Sequence, residues 1–244
     1  TDSVDYLKET YKDYEKIFDK VIEVPFKKNS NTKRYFDGSV VAKHLQFKND
    51  LRTQSYELTP YDENLLLDSD YIIANSLFKH CFEQDHDFLI FKNAIDLTAW
   101  RNTDEFQKIS DASVDFYWAT VIFFRKSEEN KIFFDLTKHI QENWDHYNSI
   151  FQVNRGTFRN DHVFSVAIHI MNGYQSGDFA RKLPGKKYYT ADRDILWDLK
   201  DDNFLFLLEK ENHLGEYTPL RIKGSNVHVM NKFSLNRIID RGEM

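Results

Sequence analysis

The chain has 244 residues and a net charge of −6, enough length for one large domain or two small ones with a sizeable core. The charge argues against a general nucleic-acid coat, and no apolar run approaches the ~20 residues of a bilayer span. No charged-then-apolar leader opens the chain, and the single Cys81 excludes an intramolecular disulfide, which fits a reducing cytoplasm. With 21 Phe and 13 Tyr, an aromatic-rich core is expected.

Asp2 or Ser3 can cap a first helix, since Val4, Leu7, Tyr11, Tyr14 and Phe18 recur at helical spacing. Val21 to Val24 reads as a strand stopped by Pro25, and Lys27 to Gly38 as a polar, turn-rich loop. From Ser39, the apolar positions Val40, Val41, Leu45 and Leu51 predict a helix. Pro60, Asp62 and Asn64 then carry turn chemistry, and Leu65 to Leu67 form a short apolar run of the kind buried on both faces. The alternation of helix and strand predicts a mostly parallel α/β sheet.

Asn75-Ser76 opens a short helix through Leu77, Phe78 and Cys81, and Phe88 to Phe91 is a strand. Asn102 to Ser113 is polar and loop-like. Phe116 to Phe124 is the longest β-prone run and predicts a central strand. Ser127 caps a long helix that carries Ile132, Phe133, Leu136, Ile140, Trp144 and Tyr147 on one side. Asp161 is expected at the N-cap of another helix, which ends at Asn172-Gly173. Lys182 to Thr190 reads as a turn-rich loop able to close over a ligand. Asn203 to Glu209 and Thr218 to Ile222 predict a late hairpin, and Val227-His228-Val229 a short strand.

Three Asp-x-Asp pairs occur: Asp68/Asp70, Asp85/Asp87 and Asp192/Asp194. The second precedes its apolar run, and the third reads as a helix N-terminus, where Asp is favoured anyway. Only Asp68/Asp70 follows an apolar strand, at the carboxyl end where open α/β sheets bind ligands. Alternation sends both carboxylates to one side, ready to share a divalent cation. Basic residues cluster in two stretches that flank this motif and Asp161. Seven Lys or Arg stand against two Asp between Phe26 and Arg52, and six against two between Arg155 and Lys187. They predict a positive rim for a phosphate-bearing ligand.

The segment Ser55 to Tyr71 resembles the approach to the Asp-x-Asp motif of GT-A fold, nucleotide-sugar-dependent glycosyltransferases. Val227-His228-Val229-Met230-Asn231-Lys232 is similar to the His-x-x-x-x-Lys closing motif of the branch that includes glycogenin and bacterial galactosyltransferases. Arg159 to Ser165 resembles the acidic opening of the acceptor-side helix, and the three motifs occur in the family's order. The general look also resembles the glycosyltransferases of large tailed phages.

That resemblance implies one GT-A-like domain over residues 1–244, a mostly parallel mixed sheet flanked by helices, with the family's first βα unit missing before Thr1. It implies metal-dependent transfer of a sugar from a nucleotide-diphosphate donor, leaning towards retention of configuration. Asp70 and Asp68 would hold the cation with His228, and a mixed carboxylate and imidazole set suits Mn²⁺ better than Mg²⁺. Lys232 would meet the phosphate, with Asp68, Arg52 and Asn231 as further donor contacts. Asp161 and Asp70 would be the catalytic pair, Asp161 holding the acceptor hydroxyl or donor sugar. The acceptor is left open between a glycan, a protein hydroxyl and a modified DNA base.

Two other readings compete. One is a degenerate GT-A-like domain that binds without turnover. The other is a haloacid-dehalogenase-like phosphatase, which also places Asp-x-Asp after an apolar strand; Ile72 stands where its Thr or Val is usual, and Asp201-Asp202 lacks a preceding apolar strand.

Overall fold

A computed structural model of the chain describes residues 1, 3–24, 32–47, 49, 51–98, 107–110, 114–153, 158–210 and 213–242. The chain divides into two compact units, Thr1–Asn31 and Thr32–Met244.

In the first unit, α1 (Val4–Thr10) is capped by Ser3, whose hydroxyl accepts a hydrogen bond from the Tyr6 N–H at 3.1 Å. The expected single helix breaks at Tyr11, which turns extended, and resumes as the four-residue α2 (Tyr14–Ile17). Neither helix buries a side chain, so no packed face holds the two together as one. Val21 to Val24 is not a strand; its backbone meets that of Thr1 instead, through the Val24 N–H at 2.9 Å.

The second unit opens with a hairpin of β1 (Thr32–Asp37) and β2 (Val41–Gln46), paired antiparallel from Thr32↔Gln46 to Asp37↔Val41. Gly38 makes the turn at φ 64°, and a Cβ there would lie 2.7 Å from the Tyr217 hydroxyl. The helix expected from Ser39 is therefore a strand. Its Val and Leu positions fit both periods over so short a run, and the adjacent turn decides for β. The expected loop at Lys27 to Gly38 is β1 from Thr32 onward; residues 25–31 lie outside the described residues, as does most of Asn102 to Ser113.

A 3₁₀ turn at Arg52–Gln54 and α3 (Ser55–Leu58) lead into β3 (Glu63–Leu67), then β4 (Tyr71–Ile72) and a 3₁₀ turn at Leu77–Cys81. There follow β5 (Phe88–Phe91), β6 (Ala94–Asp96), β7 (Trp118–Arg125), α4 (Glu128–Glu142), α5 (Trp144–Ile150) and α6 (Asn160–Met171). The last part holds β8 (Arg181–Lys182), β9 (Lys187–Thr190), β10 (Ile195–Lys200), β11 (Asn203–Glu209), β12 (Tyr217–Lys223), β13 (Val227–Val229) and α7 (Lys232–Asp240).

Two four-stranded sheets carry the architecture, in the orders β3-β7-β5-β8 and β4-β13-β9-β6. Both are mixed rather than mostly parallel. In the first, β7 runs antiparallel to β3 and β5, while β8 is parallel to β5; in the second, β9 is parallel to β6 and β13, and β4 is antiparallel to β13. The fold is α/β in composition, and a β10-β11-β12 meander contains the expected late hairpin.

The Leu65–Leu67 run is half-buried at the edge of its sheet, not buried on both faces. Within this sheet the fully buried strands are β5 and most of β7. Against them pack Phe133 and Phe134 of α4 and Phe164 of α6, with the Phe88 and Phe133 rings 4.6 Å apart. Ser127 caps α4 as expected, accepting from the Asn130 N–H. That helix stops at Asn143, whose side chain donates to the His139 carbonyl at 2.9 Å, so Trp144 and Tyr147 belong to α5. A smaller core of Leu196, Phe204, Phe206, Val229 and Ile238 lies under the meander and α7.

Candidate metal and anion centre

Asp68 continues β3 by one residue, its N–H donating to the Thr120 carbonyl of β7 at 2.9 Å. A tight turn follows, closed by the Tyr71 N–H on the Asp68 carbonyl at 3.1 Å. The Asp70 carbonyl then accepts from the Val229 N–H of β13 at 2.9 Å. Asp-x-Asp is thus the step by which the chain leaves the edge of one sheet and joins the edge of the other. Because β4 pairs antiparallel with β13 in the register Tyr71↔His228, that step brings His228 to both carboxylates.

His228 Nε2 lies 3.2 Å from Asp70 Oδ1 and 3.9 Å from Asp68 Oδ2. One donor atom from each residue lies within 4.8 Å of the other two, close enough for all three to reach one ion through bonds of ~2.0–2.6 Å. Among the described residues this is the one group of three or more His, Cys, Asp or Glu so arranged. The outer oxygens are held from behind. Arg52 Nη2 donates to Asp68 Oδ1 while its Nη1 donates to the Ala119 carbonyl, and Lys232 Nζ donates to Asp70 Oδ2 at 2.5 Å. The inner oxygens are thereby aimed at one another and at the imidazole, and two carboxylates with one nitrogen fit a borderline divalent ion.

Comparison with protein-family models, with curated proteins and with solved structures gives no match. The site is therefore read from its own geometry.

Burial pushes the Asp68 carboxyl up, against the pull of Arg52 and His228. Burial pushes on Asp70 too, but there His228 and Lys232 prevail and hold the carboxyl well below the usual range. His228 is lowered by burial and by the neighbouring Lys187, against the pull of both aspartates.

Asp161 is the second residue of α6 but is not its N-cap, a position taken by Arg159. Its carboxylate is turned onto β7, accepting from the Ala119 N–H at 2.8 Å and from Arg159 Nη2 at 2.5 Å. Despite burial, those partners hold its carboxyl below the usual range, and its charge reaches Asp68 and Lys187. Asn231, expected as a donor contact, is instead the buried cap of α7. Its Oδ1 accepts from the Ser234 N–H, and its Nδ2 donates to the Asp194 carbonyl, each at 2.9 Å. Asp194 precedes a strand, not a helix, and its carboxylate accepts from the Ala191 and Glu209 N–H groups.

The sequence pattern puts Lys187 and Arg159 on a positive rim, and Lys187 in a turn-rich loop able to close over a ligand. Lys187 instead begins β9, the strand between β13 and β6, and is fully buried. Its Nζ lies 4.5 Å from the centre of the Trp118 ring and 3.3 Å from His228 Nδ1. Burial pulls its ammonium down to about 8, opposed by Asp161, Asp68 and Asp70. The signal available was a lysine at the head of the β-prone run Lys187-Tyr188-Tyr189-Thr190, on the same face as Tyr189. Arg52, from the first basic stretch, joins the centre through Asp68, whereas Arg181 and Lys182 lie on β8, at the opposite edge of the sheet from β3. Lys27, Lys28, Lys48 and Arg155 lie outside the described residues.

Proposed function

We propose that this centre binds a divalent cation together with a phosphate-bearing ligand, and that the protein transfers a sugar from a nucleotide-diphosphate donor. The observation that carries this reading is the convergence of Asp68, Asp70 and His228 inside a ring of cations. Arg52, Arg159, Lys187 and Lys232 surround the three carboxylates Asp68, Asp70 and Asp161. The cations already outnumber the carboxylates, so adding a dication leaves a positive surplus. A pyrophosphate group has the charge to neutralise it.

When bound, the cation offsets the charge that develops on a departing nucleoside diphosphate. Lys232 is half-exposed, so its ammonium can turn from Asp70 to a phosphate oxygen without moving the helix. Arg52 keeps Asp68 in place through its anchors on β7. Asp161, with its carboxyl held low, is a weak base, and we assign it to positioning the acceptor hydroxyl or donor sugar rather than to removing a proton. The acceptor stays open between a glycan, a protein hydroxyl and a modified DNA base.

A second reading has its own observation. Each carboxylate already has an internal cation beside it, as in a domain that binds a ligand without turning it over. A panel of nucleotide-diphosphate sugars, incubated with the protein and Mn²⁺, separates the two. Mn²⁺-dependent release of the nucleoside diphosphate supports transfer chemistry, binding without release supports the second reading, and neither binding nor release with any donor sinks both.

A further inference from the structure

The cation ring contains one member that is out of place. Arg52, Arg159 and Lys232 each touch a carboxylate, whereas Lys187 touches none among the described residues; its ammonium lies on the Trp118 and Tyr189 rings and against His228. A fully buried ammonium is costly unless hydrogen-bonded, so its one directional contact matters.

With Lys187 carrying its proton, that contact has one sense. An ammonium donates and does not accept, so His228 Nδ1, 3.3 Å away, must present its lone pair. In a neutral imidazole the proton then sits on Nε2, which faces Asp70 Oδ1 at 3.2 Å. Nε2 is also the nitrogen that faces the two carboxylates and would ligate the cation. Ligation needs the opposite tautomer, with the proton on Nδ1. Metal-ligating histidines usually donate that second N–H to a carboxylate or carbonyl, which fixes the ligating tautomer. Here the second nitrogen meets a donor instead.

We propose that Lys187 is a positioning residue that locks His228 in the Nε2–H tautomer and thereby weakens the divalent-cation site. In the metal-free protein it makes His228 a hydrogen-bond donor that holds Asp70 in register. To admit a cation at Nε2, the imidazole must move its proton to Nδ1 and the Lys187 ammonium must swing away from it. The cation site therefore stays weak as long as Lys187 remains against the ring. This rests on the metal reading above, but its first test does not need a metal.

Long-range ¹H–¹⁵N spectra of the metal-free protein, with the His228 signals assigned through a His228→Gln variant, report the tautomer directly. Nε2–H is expected; Nδ1–H overturns the proposal. The second test compares Mn²⁺ affinity, read from the electron paramagnetic resonance of free Mn²⁺, in wild type, Lys187→Gln and Lys187→Met. Gln offers an amide oxygen to Nδ1–H and should tighten binding about tenfold or more, the scale of such supporting contacts; Met removes the clash without an acceptor and should tighten it less. Unchanged or weaker binding in both variants overturns the proposal, as does absence of Mn²⁺ binding in all three proteins, which also removes the metal reading. Should the variants not fold, the wild-type tautomer alone decides.

Discussion

The Asp161 carboxylate accepts a hydrogen bond from the Ala119 N–H at 2.8 Å, tying the first turn of α6 to the start of β7. One residue on, the Thr120 carbonyl receives the Asp68 N–H, and Arg52 reaches the carbonyls of both Ala119 and Thr120. Two residues of one strand thus position Asp161, Asp68 and Arg52 together. Replacing Asp161 by Ala removes the acceptor for a largely buried N–H and should cost about 1–3 kcal/mol in urea unfolding. Asp161→Asn keeps an acceptor for Ala119 and should cost less. Equal losses in the two variants would mean that the Ala119 contact contributes nothing.

Asp70 is only 7% exposed and is engaged by both Lys232 and His228, so it is not a free strand-end carboxylate. Asp70→Ala should abolish metal-dependent turnover and also destabilise the fold by about 1–3 kcal/mol, since Lys232 and His228 lose a buried partner. Asp70→Asn should retain more stability and still lose turnover. A fully active Asp70→Ala protein would remove Asp70 from the site.

If the centre takes Mn²⁺, the ion should stabilise the folded state by about 2.7 kcal/mol at 100 times its dissociation constant, a melting shift of roughly 5–10 °C for a chain this long. Asp68→Asn removes one ligand charge while leaving the neighbouring strand intact, and should abolish most of the shift. Thermal unfolding with and without Mn²⁺ measures this; a shift of the same size in the variant would place the ion elsewhere.

Away from the centre, Asp37 at the end of β1 accepts two hydrogen bonds from Arg237 of α7, at 2.6 and 2.9 Å. These bonds hold the Asp37 carboxyl below its ordinary value. Between the folded and unfolded values the unfolded chain binds the proton more readily, so the pair's stabilisation is fully present above about pH 4 and is lost as pH falls through the lowered folded value. Arg237 is 43% exposed, which limits the contribution to about 0.5–1 kcal/mol. The stability difference between wild type and Arg237→Met should therefore shrink as acid is added below pH 4. A difference that stays constant down to pH 2.5 would contradict the pairing.

Local chemistry was legible wherever one residue pattern had one physical outcome. Ser127 caps α4, Phe88 to Phe91 can only be a buried strand, and Val227-His228-Val229 is too short and too β-branched for a helix. Asp68 and Asp70 stood out in the sequence because a carboxylate pair after an apolar strand has few structural reasons to exist; His228 entered only through the resemblance of Val227 to Lys232 to a closing motif. What the chain could not show by itself was which strands would become neighbours. The direction of β7 against β3 and β5, and the edge position of Leu65 to Leu67, depend on pairings between residues far apart in sequence, and those are chosen by the packing of the whole core. The same cause hid the true surroundings of the site. Asp161 has the look of a helix cap until β7 offers it the Ala119 N–H, and Lys187 has the look of a surface lysine until β13 and Trp118 close over it. Burial and hydrogen-bond partner are properties of a side chain's neighbours, and for these two residues only the tertiary structure supplied them.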